Sequence, residues 1–551
     1  MIGGRAGALL PRRADYAGLR GSWRGDLLSG LSVGVVALPL ALGFGVTSGA
    51  GAEAGIVTAI IAGLVAAVLG GSHVQVSGPT GAMVVVLAPI LAREGAGALA
   101  LVTVMAGVLV IAAGVAGLGR LVGLIPWPVI EGFTLGIAVI ILLQQVPAAV
   151  GSTEGAHGAK ALPAALTALV HLDGAAAWRS LALVALVVAV MVAWPRVTRA
   201  VPGTIIAIVA ATLATVALGW SVPTIGALPA GLPAPALPAW DLDALQRLAM
   251  PAVAIAALAA IESLLSARVA ASYADVGGYD ADRELVGQGL ASIASGIFGG
   301  MPATGAIART AVNVRSGGRT RLAAAAHAIV LLAVVLVAST LVERIPLAAL
   351  AGVLMVTAVT MVRPALVRAV MRASRQDAVL FVLTAVVTVS VDLIYAIALG
   401  VAAAALFALR TVALAAGVHR EELPRDAALG DERIALLRLD GALFFGAADR
   451  VLERVGRVHG VEVVILRMSQ IRMLDSTGAQ ILGEMVTALE RRGVTVLVKG
   501  VQRRHLPLLQ HTGALDALAD TDHLVDDLDE AVAKARAVVA AAYDGSSRST
   551  A

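Results

Sequence analysis

The sequence predicts a polytopic α-helical membrane protein, fourteen spans arranged as a seven-plus-seven inverted repeat, followed by a small soluble α/β domain. Three observations carry this. Hydrophobic residues are 59% of the 551 and charged ones 14%, with mean hydropathy +0.89, far from an ordinary soluble composition. Apolar runs of about 17–25 residues, the length that crosses a hydrocarbon core, recur through the first three quarters of the chain. A short Gly/Pro-punctuated stretch also occurs twice: Gly299 to Thr310, and Gly70-Gly71 leading through Ser77, Gly78, Pro79 and Thr80 to Gly81.

In chain order, residues 1–25 form a basic segment with Arg5, Arg12, Arg13, Arg20 and Arg24. It suits a cytoplasmic membrane surface. The apolar run behind it reads as a retained span, not a cleaved signal. The transporter region covers 26–417, its repeats 26–220 and 245–417. The first repeat holds spans at 28–49, 53–70, 79–93, 97–118, 124–147, 180–195 and 202–219. The second holds 246–273, 284–298, 305–315, 322–341, 346–362, 376–391 and 393–415, with Asp392 marking the last break. The short member is third in each set, and an odd number of spans per repeat inverts the second copy.

Arginine placement orients these spans. Arg120, then Arg196 and Arg199, then Arg315, Arg319 and Arg321, then Arg363, Arg368, Arg372 and Arg375 follow even-numbered spans, whereas Ser221 to Leu242 has no Lys or Arg. The positive-inside rule therefore puts both termini in the cytoplasm of a cell inner (plasma) membrane protein.

Past residue 418 charges intersperse with short apolar runs. Strands are expected at 433–439, 461–467 and 494–499, and helices at 447–457, 477–492 and 527–540. That alternation indicates an α/β domain, 430–541. The tail 542–551 reads as disordered.

The absence of cysteine excludes disulfides and thiolate chemistry. No metal cluster, nucleotide-binding glycine loop or catalytic triad appears, so neither an enzyme, a bound cofactor nor a nucleic-acid partner is expected. The chemistry points to the two short spans. Half-helices starting near Gly81 and Gly305 would aim two N-termini, with their unpaired N–H groups and dipoles, at a shared anion. Arg309, one turn into the second, faces either that anion or, by snorkelling, the cytoplasmic surface. Glu262 lies in the eighth span with Ser266 on the same helix face. It reads as a proton- or sodium-coupling carboxylate, or as a partner for Arg309 or Arg268. Glu131 suits a helix start; His73 and His327 are isolated. In the soluble domain Asp475 or Ser476 can cap a helix, and an exposed hydroxyl there is a phosphorylation candidate.

Three motifs carry a resemblance. Val76-Ser77-Gly78-Pro79-Thr80-Gly81-Ala82, Glu262-Ser263-Leu264-Leu265 with Glu284-Leu285-Val286-Gly287-Gln288-Gly289, and Ala308-Arg309-Thr310-Ala311-Val312-Asn313-Val314-Arg315-Ser316-Gly317-Gly318 resemble signatures of the sulfate permease (SulP) anion transporters. The soluble region is similar to that family's STAS domain. The resemblance implies core and gate domains, elevator-type alternating access and a homodimer. It also implies a small inorganic or carboxylate anion near Thr80, Gly81, Gly305, Ala306, Ile307 and Phe44. Glu262, Ser266 and Thr304 match a sodium region of bicarbonate-carrying relatives, which have aspartate in place of Glu262. Ser476 and Thr477 match a phosphorylatable pair, Thr477 at the modified position, which suggests a cytoplasmic regulatory partner. Sulfate leads as the family's assignment, with H+ or Na+ as coupling ion. Bicarbonate, a C4-dicarboxylate or an uncoupled anion channel is the alternative, because Leu38 to Phe44 lacks the first-span carboxylate of many sulfate members.

Overall fold

The computed structural model describes residues 9, 11–16, 18–120, 125–152, 161–172, 174–198, 202–226, 231–273, 278–391, 393–415, 417–424, 428–444 and 460–548. Two compact units result, Met1–Val401 and Ala402–Ala551.

In the first unit the helices are α1 Leu19–Thr47, α2 Ala52–Leu69, α3 Gly81–Glu94, α4 Ala98–Val115, α5 Trp127–Ala149, α6 Ala161–Val170, α7 Gly174–Val197 and α8 Gly203–Ala217. They continue as α9 Leu242–Tyr273, α10 Ala281–Ile297, α11 Ile307–Arg315, α12 Arg321–Val342, α13 Leu347–Met361, α14 Pro364–Ala373 and α15 Arg375–Ser390, and α16, Leu393–Ala415, runs into the second unit. Each of the fourteen expected spans falls on one of these helices. The additional ones, α6 and α14, occupy expected loops. Among the described residues eight helical stretches are long and apolar enough to cross a hydrocarbon core unaided, the last of them, Leu347–Ala373, taking in both α13 and α14.

Packing follows the internal repeat. α4 packs on α10 as α12 packs on α2, α1 on α12 as α9 on α4, and α5 on α15 as α13 on α7. Exchanging the two sets of seven reproduces these pairings, as two structurally related repeats require, and the odd number of spans in each makes the second inverted. One group of helices gathers α1–α4 with α9–α12; α5, α7, α8, α13 and α15 lie in the other.

Two expectations change at the N-terminus and at the second break. Helix α1 begins at Leu19, inside the segment expected to precede the membrane region. A 3-10 turn, Arg13–Tyr16, lies ahead of it and is tied down: Asp15 pairs with Arg283 at 2.9 Å and the Tyr16 hydroxyl donates to Val68 O. Helix α11 starts at Ile307, not Gly305, because Thr304–Gly305 (β2) is extended and pairs antiparallel with Ser77–Gly78 (β1). Residue 392 and the expected helix at 447–457 lie outside the described residues.

The second unit is built on a five-stranded sheet of β3 Gly417–Glu421, β4 Ile434–Leu443, β5 Val463–Leu474, β6 Thr495–Lys499 and β7 Leu524–Val525, in that order. β3 and β4 are antiparallel and the remaining pairs parallel. Alternation along the strands sorts the core. Leu437, Leu439, Val464, Leu466 and Val496 pack with α17, Ser476–Glu490, and with Leu509 of α18, Leu506–His511. Ile434, Leu436, Val463, Ile465 and Leu497 pack with α19, Leu528–Arg548. The edge strand β3 brings the sheet's start ahead of residue 430. Helix α19 runs past Gly545, into the stretch expected to be disordered.

Candidate functional site

The first break is an extended backbone crossing the protein interior, and every such group must find an internal partner where water is excluded. Gly71 and Ser72 donate their N–H groups to Glu284 Oε2 at 2.7 and 2.9 Å. Asn313 Nδ2 donates to Val74 O at 2.7 Å, and its Oδ1 accepts from Ser29. Val76 N–H donates to Thr310 Oγ1, and Val76 O accepts from Ala306 N at 2.8 Å. Gln288 Nε2 bonds Ser77 Oγ at 2.5 Å and Glu284 Oε1 at 2.9 Å. The second repeat thus supplies most of the bonds that hold the first repeat's break.

That frame places two helix starts side by side. Thr80 is the extended N-cap of α3, its hydroxyl accepting from Met83 N. Ala306 caps α11 without a side-chain bond, which leaves first-turn N–H groups of that helix uncapped. At position 305 a Cβ would stand 1.7 Å from Gln75 Nε2, so any larger residue there requires the Gln75 side chain to move. At Gly78, with φ 154°, a Cβ would meet Arg309 Nη1 at 2.7 Å.

Arg309 is 2% exposed, its side chain held in the protein interior and not at the surface. Its Nη2 donates to Pro79 O at 2.5 Å, and its Nη1 has no hydrogen-bond partner. Glu262 Oε2 accepts from Thr80 Oγ1 at 2.7 Å and from Thr304 Oγ1 at 2.8 Å. Among the described residues it pairs with neither Arg309 nor Arg268. Ser263, its neighbour on α9, accepts from Gly305 N. Ser266 is turned instead to Thr310, 3.3 Å away, and makes no bond with Glu262.

A cavity of 800 Å³ opens in front of the two helix starts. Of the residues singled out from sequence, Phe44, Thr80, Gly81, Glu262, Gly305, Ala306, Ile307 and Arg309 line it, while Thr304 and Ser266 stand behind the wall. Leu40, Leu265 and Ile130 make much of the rest apolar; Glu131, Arg268 and Arg363 are its other charged lining groups. Sequence reasoning did not assign a role to Gln75, Ser263, Glu284, Gln288, Thr310 or Asn313. The available signal was polar residues inside apolar spans, which are retained only where something needs them.

In the soluble unit Asp475 caps α17, accepting from Gly478 N at 2.7 Å, while Ser476 and Thr477 are exposed at that helix start. The two hydroxyls are accessible from solvent.

Comparison with known proteins agrees with this architecture. The Sulfate permease family matches residues 23–384 and the STAS domain residues 427–531. YvdB of Bacillus subtilis (strain 168), whose name marks it as a candidate sulfate transporter, is 33% identical over 92% of this chain and 96% of its own length. The bicarbonate transporter BicA of Synechocystis is 32% identical over 88% of this chain and 90% of its own. Among solved structures, the transmembrane domain of a cyanobacterial BicA aligns at TM-score 0.63 and 35% identity, covering 68% of this chain and 98% of that one. Murine Slc26a9 aligns at TM-score 0.82 over 97% of this chain and 94% of its own; at 18% identity it speaks to the fold alone. The chain belongs to the sulfate permease family of membrane anion transporters and carries a C-terminal STAS domain.

Proposed function

We propose that this chain is a secondary-active transporter of a small oxyanion, with sulfate the first candidate cargo and bicarbonate the second. The observation that carries the reading is the convergence of the α3 and α11 starts on one cavity that Arg309 also lines, with an ionisable carboxylate in its wall. Helix N-termini offer backbone donors and positive dipole ends, which suits several oxyanions. Arg309 adds a full charge in a water-poor setting, where electrostatic attraction is stronger. Phe44 and Leu40 supply an apolar wall that keeps water from competing.

Coupling rests on Glu262. Its Oε2 and the hydroxyl oxygens of Thr80 and Thr304 form a compact oxygen cluster, the hydroxyls 3.1 Å apart. Such a cluster suits a proton on the carboxylate or a sodium ion among the oxygens. The name of the BicA relatives favours bicarbonate as the alternative cargo.

Movement follows from how the site is held. Both half-helices are fastened to the same helix group through β1 and β2 and through α9 and α10. Displacement of that group past α5 and α13 would carry the site intact, as elevator-type access requires. The cavity reaches Arg268 and Arg363, on the arginine-rich side, so this conformation reads as open to the cytoplasm.

The test is uptake of sulfate, bicarbonate and C4-dicarboxylates into proteoliposomes under imposed proton or sodium gradients. Concentrative uptake of an oxyanion is the expected result. Passive equilibration alone, whatever the gradient, would instead identify an uncoupled anion channel.

A further inference from the structure

Helix α14 is set apart from the spans on either side of it. Backbone dihedrals leave the helical region at Val362 and Arg363 before it and at Ser374 after it. At 10 residues it is about 15 Å long, too short to cross a hydrocarbon core. It therefore lies between α13 and α15 at a membrane boundary.

Its two faces differ. Val370 is buried and Leu366 and Val367 are half-buried, with α15 as the main neighbour. The opposite face presents Arg368, Met371 and Arg372 at helical spacing, all exposed, and Arg375 follows just past the break. Among the described residues none of Arg368, Arg372 and Arg375 has a carboxylate partner; Arg368 Nε donates to Pro364 O of its own first turn. The nearby acid, Asp377, accepts from the Ser374 hydroxyl at its Oδ2 and donates its own N–H back to Ser374 Oγ. An exposed methionine among unpaired arginines is poorly suited to bulk water. It is well suited to the headgroup region, where the thioether enters the acyl boundary and the long arginine stems lift their charges to the phosphates.

We propose that the Arg368–Arg372–Arg375 face of α14 binds the phosphates of anionic phospholipids in the adjoining leaflet. The attraction of each basic residue to such a surface corresponds to roughly fivefold local enrichment. The site matters because α14 follows α13 after a two-residue break, and Thr357, Thr360 and Met361 of α13 line the cavity that the proposed function assigns to transport. Lipid held on α14 therefore anchors the rim of the helix group past which the substrate site would move.

The chain contains no cysteine, which allows a single label. The full-length Met371→Cys protein, carrying a fluorophore, is reconstituted with nitroxide-labelled phosphatidylglycerol or, at equal fraction, nitroxide-labelled phosphatidylcholine. The expected result is several-fold stronger quenching by phosphatidylglycerol, weakening with added salt, and lost in Arg368→Gln/Arg372→Gln/Arg375→Gln. The corresponding lysine triple variant retains most of the preference and shows that the fold is kept. Equal quenching by both lipids overturns the proposal and leaves the face to an acidic protein partner. A preference unchanged in the glutamine variant also overturns it. Loss of preference on adding inorganic phosphate, at an ionic strength matched with chloride, reassigns the face to free anions.

Discussion

Thr80 and Thr304 donate to the same Glu262 oxygen, at 2.7 and 2.8 Å, although 224 residues separate them in the chain. One carboxylate thus fastens both half-helix starts to α9, so a change in its charge state would alter the spacing of the proposed anion cradle. Replacing Glu262 by Gln keeps an acceptor oxygen for the hydroxyls but removes the ionisable group. Gradient-driven uptake is expected to disappear while anion binding, read by equilibrium titration, persists. Thr304→Val, which loses one donor at a fully buried position, is expected to cost about 1–3 kcal/mol through the under-satisfied carboxylate. Uptake by Glu262→Gln that still follows a proton or sodium gradient would remove the residue from coupling.

Arg309 has a double duty, which separates two variants. Its Nη2 bond to Pro79 O fixes the start of α3, and its Nη1 is buried beside Gly78 without a hydrogen-bond partner, donor capacity that an anion bound between the half-helices would take up. Arg309→Ala removes charge, bond and packing, and is expected to lower stability as well as affinity. Arg309→Lys keeps the charge but cannot serve two directions from a planar fork. The lysine variant should therefore hold its fold yet bind anions about 10- to 100-fold more weakly, the loss of one charge-assisted hydrogen bond. The loss should be greater for divalent than monovalent substrates, because Coulomb attraction scales with charge. Competition titrations with sulfate and bicarbonate measure the difference.

Gly305 and Gln75 form a steric pair. A Cβ at position 305 would overlap the Gln75 amide, whose two polar atoms have no hydrogen-bond partner. Gly305→Ala is expected to abolish uptake with an overpacking strain of roughly 1–3 kcal/mol. Gln75→Ala in the same chain removes the overlapping amide and forfeits no hydrogen bond, so the double variant should regain part of the activity. Failure of that rescue would show that the Ser263 side of Gly305, with its Cα 3.2 Å from the added Cβ, is the tighter constraint.

The soluble unit has its own pH-dependent clamp. Asp431 meets Arg536 of α19 through both carboxylate oxygens, at 2.8 and 2.7 Å. The Arg536 hydrogen bonds, helped by the Ala428 N–H, hold the Asp431 carboxyl below its ordinary range. A depressed carboxylate contributes stability above the ordinary aspartate pKa of about 3.9 and loses it as pH falls through the folded value. Arg536→Met should therefore lower the melting temperature of this unit at neutral pH and flatten its decline in acid. A dye on a cysteine introduced into α19 reports that melting in the intact protein.

How far the site could be read from sequence depends on whether its partners are local. The α3 start was legible, because Pro79-Thr80-Gly81 combines a proline, a capping hydroxyl and a glycine within three residues. The α11 start was misplaced by two residues, because the strand pairing that extends Thr304–Gly305 comes from Ser77–Gly78 in the other repeat. The partner of Arg309 is a backbone carbonyl, which no residue pattern announces. Fourteen spans were readable from hydropathy; α6 and α14 were not, since short helices between spans lack a long apolar run. In the soluble unit β3 was missed because Val418, His419, Arg420 and Glu421 are mostly polar, as an edge strand tolerates.

Glu284 illustrates a residue whose charge matters less than its acceptor oxygens. It lies in the first turn of α10, where an acid would ordinarily be ascribed to the helix dipole, yet it is 1% exposed and accepts from Gly71, Ser72 and Gln288. Glu284→Ala would leave two buried N–H groups without acceptors, at about 1–3 kcal/mol each, and loosen the first break. Loss of uptake and of thermal stability together is expected. Glu284→Gln keeps one carbonyl oxygen for Gly71 and Ser72. Its new amide group would oppose Gln288 Nε2, but Gln288 can rotate its unpartnered Oε1 into that place, and the Ser77 hydroxyl can turn to donate to it. The glutamine variant should therefore transport at near the parent rate, with the same proton or sodium dependence. If it instead lost gradient dependence while remaining folded, Glu284 would join Glu262 as a coupling carboxylate.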